Sequence, residues 1–154
     1  LVLLLLVAQT LVATLLAVWR GRSGFGSEAT TLYLTCGLVA PIYAALVMIN
    51  PIHAHDPTPG GVAISALGLR CLALSAIVGV LVLASLLLAL RRSVPVSSRV
   101  RGAAVGAAAG AWAGLSVFIF CPSDDPRHIF IGHVLPIVLF TVLGIAMVPR
   151  VLRL

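Results

Sequence analysis

The chain reads as long apolar runs broken by short polar segments. Five stretches, approximately residues 1–18, 31–50, 71–90, 102–121 and 129–148, contain no Asp, Glu, Lys or Arg. A helix rises 1.5 Å per residue, so about 20 residues cross the roughly 30 Å of a bilayer's hydrocarbon. In lipid a backbone must satisfy its own polar groups, which makes each run a helix. The runs are too long and too evenly apolar for barrel strands. Pro41 and Pro136 interrupt two of them, a break that neighbouring helices tolerate. The pattern therefore predicts an all-α fold, a polytopic transmembrane bundle with five spans and one domain over residues 1–154.

Two segments are less regular. Residues 51–61 form a turn-rich stretch, Pro-Ile-His-Ala-His-Asp-Pro-Thr-Pro-Gly-Gly. Residues 62–69 are apolar but too short to span; they fit either an interfacial turn or an outward extension of the third helix. Leu1 lies inside an apolar run with no basic segment before it and no small-residue cleavage site, so the run reads as a span rather than a signal peptide. Further chain is expected upstream of it.

Composition strengthens this picture. Hydrophobic residues make up 61% and charged residues 9% of the chain, and the mean hydropathy is +1.20. Soluble domains carry about 25% charged residues, so this chain could not cover a water-facing surface.

The net charge of +6 arises from ten Arg with no Lys. Such a balance can mark nucleic-acid binding, but here the arginines cluster at the ends of apolar runs, and no direct nucleic-acid contact is expected. Arg20 and Arg22, then Arg91, Arg92, Arg99 and Arg101, then Arg150 and Arg153 occupy alternate connections; only Arg70 and Arg127 lie on the other side. Basic loops stay in the cytoplasm. The expected topology starts outside at Leu1 and ends inside at Leu154, in a bacterial inner membrane.

The fourth run holds Gly102, Gly106, Gly110 and Gly114 at a spacing of four. These share one helix stripe, along which another helix can approach closely. Cys121 continues the stripe two turns further on.

Of three cysteines, Cys36 lies toward the cytoplasmic side, while Cys71 and Cys121 fall at matching outer depth on antiparallel spans. An oxidising outer compartment permits a bridge between them; the alternative is that both are small, inert, buried residues. All four histidines share the outer side, with Asp56, Asp124 and Asp125. Cysteine and histidine suit a soft or borderline metal, and His53, His55, Asp124, Asp125, His128 and His133 are the candidate ligands. Solvation of a tight loop between Pro122 and Pro126 is the more ordinary account of Asp124, Asp125 and His128. His133, about one turn into the last span, is placed to face the protein interior. No bound cofactor is expected beyond a transient thiophilic metal. The chain shows no phosphate loop, nucleophile elbow or mid-span carboxylate, so no enzymatic activity is expected.

Several motifs resemble one family. They are Arg70-Cys71-Leu72, Leu90-Arg91-Arg92 with Pro95, the Gly/Ala-rich fourth run, and Cys121-Pro122-Ser123-Asp124-Asp125-Pro126 followed by His133. Together they resemble the NrsF family of bacterial membrane-bound anti-sigma factors, over about residues 70–154. The resemblance implies six spans, a cytoplasmic segment before the first, and capture of an extracytoplasmic-function sigma factor mainly through that segment. It also implies a sensing pair at Cys71 and Cys121, with redox or metal stress as the signal. Gly132 stands where the family often carries an aromatic. Two other readings remain beside it: a small membrane protein that handles redox equivalents or metal, and an accessory subunit of a membrane complex.

Overall fold

The computed structural model describes residues 1–19, 26–49, 61–90, 98–121 and 125–151. All regular structure among them is helical. The elements are α1 (Val2–Trp19), α2 (Gly26–Met48), α3 (Gly61–Leu90), α4 (Ser98–Phe118), α5 (Pro126–Ile129), a π turn (Phe130–Val134) and α6 (Leu135–Val151). Ile129 and Leu135 both hold right-handed helical dihedrals, so α5, the π turn and α6 form one unbroken rod.

Each apolar run falls on one helix, with shifted ends. The third begins ten residues early, at Gly61, so residues 62–69 extend the helix rather than forming a separate turn. The fourth stops at Phe118, and a turn carries the chain through Phe120 to Cys121. Phe120 N–H donates to Val117 O (3.1 Å) and Cys121 N–H to Phe118 O (3.3 Å), tightening the helix end. Two helical stretches, Ala66–Leu90 and Arg127–Val151, are long and apolar enough to cross a membrane.

Helix α4 is the axis of the bundle and touches α1, α2, α3 and α6. Its Gly/Ala composition is the reason, since a helix with so little side chain can be surrounded closely. Val105, Ala108, Ala109 and Ala111 are fully buried. By contrast Leu74, Ile77, Leu81 and Leu88 of α3, and Val142 of α6, lie largely exposed.

The partner of the glycine stripe is α6, running antiparallel to α4. A Cβ on Gly102 would meet the Gly144 carbonyl, and one on Gly106 the Phe140 carbonyl. On Gly110 it would lie 2.5 Å from Ile137 Cα, and on Gly114 2.7 Å from His133 O. Gly144 faces Gly102 reciprocally. The seam is backbone on backbone along its whole length.

A second small-residue face lies on α3. Gly68, Cys71, Ser75 and Gly79 recur at three- and four-residue spacing and are all buried, as is Leu83 in the next turn. Gly79 receives the Phe140 ring, and Ser75 hydroxyl donates to Gly132 O at 3.0 Å.

Further polar side chains are tied between helices or within one. Gln9 Nε2 donates to Val39 O (2.7 Å), joining α1 to α2. Trp112 Nε1 donates to Thr14 Oγ1 (3.0 Å), joining α4 to α1. Thr10, Ser116 and Thr141 each donate to the carbonyl one turn earlier.

Candidate functional site

At one end of the α4–α6 seam, Cys71, Cys121, His128 and His133 converge. One ligand-capable atom from each lies within 4.8 Å of all the others. Cys71 comes from α3, Cys121 from the turn after α4, His128 from α5 and His133 from the π turn. His128 and His133 are almost fully buried, and Cys71 and Cys121 are 9% and 8% exposed. Both cysteines are free thiols.

The π turn makes this meeting possible. His128 and His133 are five residues apart, which on an α-helix separates them by about 140° around the axis. A π turn bonds residues five apart and stacks such positions. Leu135 N–H donates to Phe130 O in that pattern, and the two imidazole centroids lie 5.6 Å apart.

Gly132, inside the same turn, gives Cys71 its place. A Cβ there would sit 2.9 Å from Cys71 Cβ, so the absent side chain leaves the room that the Cys71 side chain fills. The Gly132 carbonyl is taken up by Ser75, one turn along α3 from Cys71.

Hydrogen bonding leaves a distinctive remainder. Cys121 Sγ and His128 Nε2 are 2.9 Å apart. His133 Nδ1 lies 3.3 Å from Gly114 O, the last carbonyl of the glycine stripe. A carbonyl only accepts, so this contact puts the proton on Nδ1 and leaves Nε2 with its lone pair free. His133 Nε2 and His128 Nδ1 are buried without a hydrogen-bond partner. Phe118 packs edge-on against the His133 ring, with centroids 6.0 Å apart.

Asp125 plays a different part. Its carboxylate accepts from Arg127 N–H (3.4 Å) and His128 N–H (3.3 Å), capping the helix that carries His128. It stands outside the four-residue group. His53, His55, Asp56 and Asp124 lie outside the described residues. Arg70 and Arg127, next in sequence to Cys71 and His128, are exposed at this same end.

The sequence pairs the two cysteines and offers His128 and His133 only as separate candidate ligands, with loop solvation as the other account of His128. Helical i, i+4 spacing is the usual sign of paired ligands, and the π turn hides the pair from that test. The α3 face of Gly68, Cys71, Ser75 and Gly79 was open to detection by its spacing.

Among the described residues the molecule is a helical bundle with a buried thiol–imidazole cluster at one end of its central seam. Comparison with protein families supplies the class: the chain belongs to the NrsF family, "negative regulator of sigma F", whose family model matches residues 1–154. The match takes in the first two helices as well as the motifs after residue 70. A negative regulator of sigma F has a sigma factor as its partner. No curated protein and no solved structure matches the chain.

Proposed function

We propose that this protein is a multi-pass regulator of the bacterial inner membrane. It holds an extracytoplasmic-function sigma factor on the cytoplasmic side and releases it when the Cys71–Cys121 pair changes state on the outer side. Five helices cross the bilayer in this reading, with the C-terminus in the cytoplasm. Support for the membrane comes from the apolar surface: Leu74, Ile77, Leu81 and Leu88 turn outward along one helix, where water would oppose them. Support for the orientation comes from the arginines, eight of the ten lying on one set of connections.

One observation carries the signalling part. The thiol–imidazole cluster sits at one end of a backbone-on-backbone seam whose other end, at Gly102 and Gly144, adjoins the Arg-rich side. His133 touches the seam directly through Gly114. A change in how the cluster is held therefore alters the α4–α6 contact. Two packings a few kcal/mol apart suffice for a switch, provided the signal favours one of them.

Affinity capture with the full-length natural protein from unstressed cells tests this reading. A sigma factor is expected in the eluate. Its absence there, with the regulator intact in the membrane, would falsify the anti-sigma assignment.

A further inference from the structure

We infer that Cys71, Cys121, His128 and His133 together form a tetrahedral site for a single thiophilic d10 metal dication, of the class of Zn(II) or Cd(II). This rests on the reading of that end of the molecule as the part receiving the signal, and it names the chemical class received.

The donor set comes first. Two thiolates and two neutral imidazoles are the ligands that soft and borderline cations prefer, and tetrahedral geometry is their common arrangement. With metal–sulfur and metal–nitrogen bonds of about 2.3 and 2.0 Å, neighbouring donors in such a site lie roughly 3.3–3.8 Å apart. The four donors here already fall within 4.8 Å of one another. Side-chain rotation of about an ångström closes the remainder. The 2.9 Å contact of Cys121 Sγ with His128 Nε2 is a hydrogen bond that the metal replaces, with the two donors parting slightly.

The arrangement around the donors suits a metal and is superfluous to a thiol pair. The Gly114 carbonyl fixes His133 in the tautomer whose Nε2 can donate a lone pair. That Nε2 is buried and has no hydrogen-bond partner. A disulfide would use neither imidazole and would leave His133 Nε2 unmet. The π turn brings the second histidine onto the face of the first, as π turns often do at functional sites.

Charge balance agrees. Binding a divalent cation releases one proton from each thiol to solvent, and no electron moves. Two thiolates then cancel the dication, so the loaded site is neutral in surroundings that penalise charge. Asp125, the nearest described carboxylate in the chain, is occupied as a helix cap.

The test is titration of reduced, metal-free, full-length protein in detergent with Co(II), followed by Zn(II) and Cd(II). One Co(II) per chain is expected, with a sulfur-to-cobalt charge-transfer band in the near ultraviolet, tetrahedral visible bands, and their loss on adding Zn(II). His133→Gln and His128→Gln should each lower affinity on the order of tenfold or more, and Cys71→Ser should diminish the charge-transfer band. Circular dichroism of each variant separates lost binding from lost fold. The unaltered protein is decisive alone: no charge-transfer band overturns the site. Equal affinity in folded protein lacking both imidazoles overturns it as well. Assaying sigma-factor capture on the same samples keeps the two claims apart. Capture without metal binding defeats the site only; metal binding without capture defeats the regulatory reading only and leaves the site standing.

Discussion

His133 joins the two parts of the molecule that matter most. Its Nδ1 lies on the Gly114 carbonyl, its Nε2 is buried without a hydrogen-bond partner, and its ring belongs to the cluster with the two thiols. Gly132 beside it is fixed by a close approach, because any side chain meets Cys71. Gly132→Leu should therefore push Cys71 away from the cluster and weaken Co(II) binding sharply; unchanged affinity would mean that Cys71 is not a ligand. The free thiols give a second residue-scale prediction. Mild oxidation of the metal-free protein should join Cys71 to Cys121 and leave Cys36 alkylatable, because only the first two belong to the cluster. Peptide mapping after alkylation checks this, and a bond involving Cys36 would contradict the packing described.

Among the elements, the α4–α6 seam determines stability. Gly106 faces the Phe140 carbonyl with no room for a Cβ, and backbone cannot step aside as a side-chain tip can. Gly106→Leu should cost about 1–3 kcal/mol or more by overpacking, read as a lower melting temperature in detergent. Gly37 offers the contrast, since a Cβ there meets nothing within 4 Å. Gly37→Ala should be neutral or gain up to about 1 kcal/mol from helix propensity. The α4 half of this seam was legible in the sequence because four glycines at a spacing of four mark one stripe. The α6 half was not, because Gly144 is its single glycine in the contact and Phe140 and Ile137 contribute only backbone. The site was legible to the same partial degree. Matching depth on antiparallel runs brought Cys71 and Cys121 together on paper. A π turn adds one residue to a helical turn without any compositional mark, so His128 could not be placed on the His133 face. The early start of α3 is one of two readings the sequence leaves open, because the apolar residues after the Gly60-Gly61 pair are too few to span and fit an interfacial turn as well as a helix extension.

The whole molecule combines a bundle centred on α4, an apolar exterior and a one-sided distribution of arginine. In the orientation proposed, a green fluorescent protein fused after Leu154 fluoresces, and alkaline phosphatase at the same point is inactive. The reverse pair of results would turn the molecule over and move the cluster to the cytoplasm. In the proposed account signalling is a property of the entire bundle: three segments of chain meet in the cluster, and one of them continues as the helix that lines the glycine seam. The most direct measurement is release of the captured sigma factor from membranes carrying the full-length protein, before and after adding Cd(II) on the outer side. The account predicts release from the natural protein and retention by the Cys71→Ser/Cys121→Ser variant. Equal release from both, or retention by both, would contradict it.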